Sequence, residues 1–225
     1  MHIMEGYLPW EWCLVWFLAA VPFLFFGARK IIKIVRDNPE QKMTVALSGA
    51  FMFLLSSLKL PSVTGSSSHP TGTGLSTVLY GIACTSFLAA IVLIFQTLLL
   101  AHGGLTTLGA NIVSMGIFGP ACGFAVWHLL RSMRLSIPIS MFSAAMSANI
   151  LTYVMTSLQL ALAYHDIGFL TAFSEFLAVF ALTQIPLAII EGMIFAMFAM
   201  YLVNNKPEIF GGAAGINAAG GREKC

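Results

Sequence analysis

Six stretches of this chain, residues 12–28, 43–58, 75–101, 105–130, 135–164 and 169–203, are apolar almost without interruption. A bilayer hydrocarbon core takes roughly 20 apolar residues per helix, which is the scale of these segments. They are rich in Leu, Ala, Met and Phe and do not alternate, so they read as helices and not as strands of a barrel. Charged residues make up only 9% of the sequence. A water-facing globule needs roughly a quarter. The expectation is an all-α polytopic transmembrane helix bundle in a cell membrane. It forms one domain over residues 1–204, and a Gly/Ala-rich tail over 205–225 reads as flexible. The net charge of +2 gives no reason to expect a nucleic-acid partner.

Small residues recur at a spacing of four in Ala46/Ala50, Ser140/Ala144/Ala148 and Ser143/Ser147, which allows close helix packing. Pro186 can kink the last segment, which is too long for one straight span. Cys13, Cys84 and Cys122 lie in apolar segments, and with Cys225 they make no CxxC pair. Neither a disulfide framework nor a cysteine metal site is expected. The N-terminus lacks a basic region and no cleavage box follows Phe26, so it does not read as a signal peptide.

Six segments leave the crossing number open, and the basic residues decide it. Arg29, Lys30, Lys33, Arg36 and Lys42 assign the first loop to the cytoplasm and the N-terminus to the outside. Six spans would leave Arg131, Arg134, Lys206, Arg222 and Lys224 outside with Lys59, and the bias would vanish. One additional crossing between Leu75 and Leu130 moves those five inside. Seven crossings, N-out and C-in, are therefore expected, with breaks near His102-Gly103-Gly104 and Gly119-Pro120.

Between the second and third segments, residues 59–74 hold four serines, three threonines, three glycines and His69. Such a segment is either a solvated loop or an irregular backbone lining the mouth of a bundle. By the charge count it lies on the side of Met1. A free α-amine, the amide nitrogen of residue 2 and the imidazole of His2 close consecutive chelate rings on one metal ion. The imidazole of His69 is the best-placed fourth nitrogen. Tetragonal nitrogen ligation suits Ni(II) or Cu(II) and accommodates Co(II). The amide must lose its proton, so binding weakens in acid. The bulky His2 disfavours removal of Met1. By itself, Met-His is a weak signal.

Longer motifs add specificity. Residues 1–9 (Met-His-Ile-Met-Glu-Gly-Tyr-Leu-Pro), 58–65 with 68–74, Phe95-Gln96, residues 99–111 with Ser114-Met115-Gly116, and Gln184-Ile185-Pro186-Leu187-Ala188 with Glu191-Gly192 stand in order along nearly the whole chain. This pattern resembles the CbiM/NikM family, the substrate-capturing membrane components of energy-coupling-factor cobalt and nickel transporters. Two departures show: the family usually has Cys at Ser67, and often Phe-Gly-Pro at Tyr80-Gly81-Ile82. The resemblance implies a planar four-nitrogen site made by the Met1 amine, the His2 amide and imidazole, and His69. Co(II) or Ni(II) is then the transported substrate, with no organic cofactor. Cobalt, for cobalamin synthesis, is slightly favoured. It also implies a transmembrane coupling protein, cytoplasmic ATPase subunits and a small accessory membrane protein as partners. The chain carries no GxxxxGK[ST] P-loop, so it is expected to be a transport subunit and not an enzyme.

Among the remaining polar residues, Gln96, His102 and Asn111 are candidates to hold the His69 loop behind the ligands. Glu191, an ionisable group inside a span, is a candidate for the metal path or for a loop-holding hydrogen bond. His128 and His165 read as interfacial bystanders, and the twelve methionines as core filling. Two other classes compete: an intramembrane enzyme using His69 with loop serines, and an ATPase-independent permease or channel.

Overall fold

A computed structural model describes residues 2–61, 66–166, 168–205 and 210. Its elements are β1 (His2–Ile3), α1 (Trp10–Asp37), α2 (Gln41–Ser57), β2 (Leu60–Pro61), β3 (Ser66–Ser68), α3 (Gly74–Tyr80), α4 (Ile82–Leu100) and α5 (Leu108–Asn111). A π-helical stretch (Ile112–Phe118), α6 (Gly119–Ser132), α7 (Ile137–Ala163) and α8 (Phe169–Asn205) complete it. Among the described residues, five helical stretches are long and apolar enough to cross a membrane: α1, α4, residues 108–132, α7 and α8. α2, at 17 residues, is only slightly shorter.

The charged end of α1 is a correction to the sequence reading. Arg29, Lys30, Lys33 and Arg36 are not in a loop but in the last turns of α1, and Lys42 lies in the first turn of α2. Lys and Arg are good helix formers. A 28-residue helix is about 42 Å long, so its end outruns a hydrocarbon core of about 30 Å.

The second break in the stretch 75–130 is also displaced. The turn at 101–103 does interrupt the helices, with φ of +47° at Ala101 and +81° at Gly103. Gly119-Pro120 interrupts nothing. The π-helical stretch runs directly into α6, so Pro120 lies inside one continuous helix, and the wide π turns just before it accommodate the missing N–H. The break falls instead at Gly81, whose φ of +78° separates α3 from α4.

This shift explains how residues 66–80 run. Near one end of the bundle, the Lys30 ammonium donates to Tyr80 O at 2.6 Å and the Tyr80 hydroxyl to Gln41 Oε1 at 3.1 Å. Near the other, the Lys59 ammonium donates to Leu100 O at 3.1 Å and the Tyr164 hydroxyl to Tyr7 O. From Ser66 the chain travels as extended backbone, then as α3, through the interior. All of residues 66–73 are buried, which excludes the solvated-loop alternative for them. Ser68 meets Thr183, His69 meets Gln184, Thr71 and Gly72 meet Glu191, and Gly74 lies against Phe195, so the segment descends along α8. Gly72 adopts φ +70°, and a Cβ there would sit 2.6 Å from Met52 Cα. No other residue fits so close to α2.

One small-residue face packs helix against helix, whereas Ala46 and Ala50 are exposed. Ser140, Ala144 and Ala148 are buried against α6, where a Cβ on Gly123 would lie 2.7 Å from Ala144 O. Phe180, Phe195 and Trp127 are among the largest fully buried side chains. Phe210, inside the expected tail, is buried against Trp127 with ring centroids 6.2 Å apart. The rest of the tail beyond Asn205 lies outside the described residues.

Candidate metal centre

A three-stranded antiparallel sheet, in the order β1-β3-β2, caps one end of the bundle. Its strands hold two or three residues each, too short for any alternation to be legible. The register pairs His2 with Ser67 and Ile3 with Ser66, and Leu60 with Ser68. This pairing carries the second residue of the chain into the interior beside His69.

The N-terminal segment is clamped from the side. The Ile3 amide donates to Asn111 Oδ1 at 2.8 Å, and Asn111 Nδ2 donates back to Ile3 O at 3.0 Å. The Thr107 hydroxyl also donates to Ile3 O, at 2.9 Å. Glu5 is tied in as well. Its amide donates to Gly103 O at 3.2 Å, and its carboxylate accepts the Thr106 hydroxyl at 2.6 Å. The Thr106 hydroxyl holds that carboxyl below its usual range. Asn111 is delivered by the junction of α5 with the π-helical stretch, a wide turn of the kind often found at functional sites.

Three imidazoles meet above this clamp. One ligand atom each from His2, His69 and His102 can be chosen so that all lie within 4.8 Å of one another. The rings of His2 and His69 stack at 4.2 Å and 22°. His102 stands edge-on to both, at 4.5 Å and 85° from His2 and 4.9 Å and 87° from His69. His69 Nδ1 lies 2.7 Å from Pro70 O. A carbonyl only accepts, so Nδ1 carries the proton and Nε2 keeps its lone pair. A metal-ligating histidine needs this tautomer. His69 Nε2 and His2 Nε2 are buried without a partner among the described residues, as is His102 Nδ1. His2 Nδ1 lies 3.1 Å from His102 Nε2, which also takes the Ser67 hydroxyl at 2.5 Å. Burial pushes the His2 imidazole well below its usual pKa, assisted by the neighbouring His69 and His102. Burial likewise holds His102 down at about 3. Both are neutral donors at physiological pH.

His102 is placed by a strained turn. Ala101 takes the left-handed conformation (φ 47°, ψ 47°), which costs a residue with a Cβ about 1–2 kcal/mol. The turn brings Gly103 so close that a Cβ on it would lie 3.4 Å from Asn111 Nδ2.

Glu191 forms a separate station. Its carboxylate accepts the Thr71 amide, the Thr71 hydroxyl and the Gly72 amide, each at 2.7 Å, and Asn149 Nδ2 at 2.5 Å. Gln184 Nε2 links this station to the imidazoles. It donates to Asn149 Oδ1 at 2.9 Å and to His69 O at 3.2 Å.

Of the residues singled out in the sequence, His2, His69 and His102 come together, Asn111 holds the strand of His2, and Glu191 holds the loop of His69. Gln96 does not join them. Its side chain donates to Ser56 Oγ at 2.5 Å, bridging α4 to α2. Met1 lies outside the described residues. Ser67, Thr107, Asn149 and Gln184 escaped the sequence reading as site residues. Asn149 and Gln184 carried a usable signal, being amides inside apolar spans.

Residues 2–209 match the family described as the cobalt uptake substrate-specific transmembrane region. A relative in Nostoc, named cobalt transport protein CbiM, is 52% identical over 210 residues, covering 92% of this chain and 80% of its own. A relative of the same name in Streptococcus sanguinis is 51% identical over 210 residues, covering 92% and 86%. A crystal structure of a truncated transition metal transporter superposes with a TM-score of 0.80 at 26% identity, over 91% of this chain and 99% of that one. With five membrane-length apolar helices and these relatives, the chain is a multi-pass membrane protein, and it belongs to the family of cobalt uptake substrate-specific transmembrane components.

Proposed function

We propose that this chain captures Co(II) or Ni(II) on the outer face of the membrane, as the substrate-binding subunit of an ATP-driven energy-coupling-factor transporter. The ligands are the Met1 amine, the His2 amide and Nδ1, and His69 Nε2. From the amide nitrogen through Cα, Cβ and Cγ, the Nδ1 atom of His2 closes a six-membered ring on the metal. The amine and amide close a five-membered one. The observation that carries the reading is the trio of buried imidazoles, with His69 held in the ligating tautomer and its Nε2 unpartnered. A desolvated nitrogen without a partner, such as His69 Nε2, is costly in a resting fold, and a metal ion bound there repays that cost.

The path of residues 66–80 supports seven crossings: α1, α2, residues 66–80, α4, residues 108–132, α7 and α8. The N-terminus is then outside, and the ends of α1 and α8 inside. The lysines and arginines of α1 mark the cytoplasmic end. Relatives are named for cobalt transport, which favours cobalt over nickel as the cargo, with cobalamin synthesis as its use. ATP hydrolysis is assigned to cytoplasmic partner subunits acting through a transmembrane coupling protein, with a small accessory membrane protein completing the assembly.

Metal binding by the purified chain tests the site. His2→Ala is expected to abolish it while the protein still inserts, and adding one residue before Met1 is expected to weaken it by displacing the amine. Unchanged binding in both would overturn the ligand set. Uptake in cells tests the assembly. It is expected to stop when the partner ATPase is lost, and uptake that survives would favour the permease reading.

A further inference from the structure

His2 and His69 are fully buried, so a metal ion reaches them only past another group. A cavity of about 300 Å³ opens beside them, its wall including Met4, Lys59, Ser67, Ala101, His102 and Gly103. Of the three clustered imidazoles, only His102 lines it. The ammonium of Lys59, the one cation among these residues, donates to Leu100 O. The strained turn at Ala101 holds the His102 ring at the inner wall, edge-on to the stacked pair.

The spacing of the facing nitrogens is informative. His102 Nε2 and His2 Nδ1 are 3.1 Å apart. Two imidazole nitrogens bound to one metal at about 2.0 Å each, at a right angle, stand roughly 2.8 Å apart. A metal ion can replace the hydrogen bond between these rings at nearly the same nitrogen separation, once the two rings turn their lone pairs toward it and the Ser67 hydroxyl leaves His102 Nε2. The planar set proposed above has no position for His102, and a plane of four nitrogens leaves its axial faces open.

We propose that His102 is the receiving ligand for the incoming metal ion. It takes the ion from the cavity, holds it together with His2 Nδ1, and gives it up when the amine, the His2 amide and His69 Nε2 complete the plane. Water ligands leave as the two imidazole bonds form. The N–H of the His2–His102 contact moves to the far nitrogen of its ring, where nothing is bonded. The amide proton and the proton of the ammonium form of the amine depart to water as the plane closes, and the His102–metal bond then breaks. The inference rests on the ligand reading above, but its test separates from that one, because it concerns rates.

The test is stopped-flow binding of Ni(II) or Co(II) to the purified full chain, with equilibrium titration and the visible spectrum of the loaded protein alongside. His102→Gln is expected to slow association and dissociation alike by about tenfold or more. The dissociation constant and the spectrum should stay close to those of the parent. His102→Cys, which restores a metal donor, is expected to associate faster than His102→Gln. A merely structural role predicts the reverse order, since Gln keeps a hydrogen-bonding group of similar reach. Parent-like rates in His102→Gln, a Gln variant faster than the Cys variant, or a changed spectrum showing His102 to be a resident ligand would each overturn the proposal. Failure of the ligand reading itself would show instead as full equilibrium binding in His2→Ala.

Discussion

The molecule buries two polar clusters on the path of residues 66–73, and they are built in opposite ways. At Glu191 four donors converge on one carboxylate, so its charge is matched on every side. At the imidazoles, His2 Nε2, His69 Nε2 and His102 Nδ1 lack partners among the described residues. A buried polar group whose hydrogen bonds are complete holds structure together, whereas one left incomplete is poised for something else. The saturated cluster reads as an anchor that bolts the His69 loop to α7 and α8. The incomplete one reads as a place for a ligand. Gln184 joins them, so a movement of α7 against α8 would be felt at His69.

Acid should separate the two most widely. Metal loading through the amine and the amide releases two protons, so affinity should fall about a hundredfold per pH unit below the usual amine pKa of about 7.7. From pH 7 to 5 that is roughly four orders of magnitude, measured by titration in buffers of fixed ionic strength. The imidazoles add less to this slope than ordinary histidines would, because burial holds His2 and His102 below the usual histidine range. Their effect on the metal-free fold has a definite sign. The folded value lies below the unfolded 6.5, so the unfolded chain binds more protons, and stability falls as pH drops below 6.5. A slope of about one proton per metal, or less, would break the amide assignment.

His2→Ala comes next, with metal affinity expected to drop by more than about a hundredfold and little change in melting temperature, since it removes a ligand and no anchor. Glu191→Ala should reverse that pattern. Leaving four donors without an acceptor costs about 3–5 kcal/mol, which lowers the melting temperature in detergent by about 10 °C. Metal affinity of the folded fraction should fall only about tenfold. If Glu191→Ala instead matched His2→Ala in affinity and kept its stability, the anchor and the ligand site would have to exchange roles. Asn111→Ala tests the clamp on Ile3, with affinity expected to fall about tenfold as the His2 strand loosens. The smallest effect is expected from Gln96→Ala. It breaks a bond to Ser56 and should change metal affinity by no more than about twofold, at a cost of about 1 kcal/mol in stability.

Much of this was legible in the sequence, for identifiable reasons. The apolar segments mark the spans because a bilayer enforces length. The proposed chelating N-terminus suggests itself because its donors are adjacent in the chain. His69 stood out as the one imidazole in a segment rich in hydroxyls and glycine. The positions of the breaks were less legible. Gly81 looks weaker as a breaker than Gly119-Pro120, yet the wide π turns before Pro120 let the helix pass through the proline, and a glycine at positive φ does not continue one. The sheet that seats His2 could not be read, since strands this short have no pattern. The Glu191 station brings together Thr71, Gly72, Asn149 and the carboxylate itself from three distant parts of the chain. The gathering of His102 with His2, 100 residues apart, arises from a left-handed alanine that no local signal announces.

The most direct test of the account is a Ni(II) titration of the purified chain, followed by visible absorption, in parallel with His69→Ala. A planar four-nitrogen centre predicts a yellow, diamagnetic nickel form that saturates at one ion per chain in the parent protein and fails to develop in His69→Ala. The same band appearing in His69→Ala at the same midpoint would contradict it.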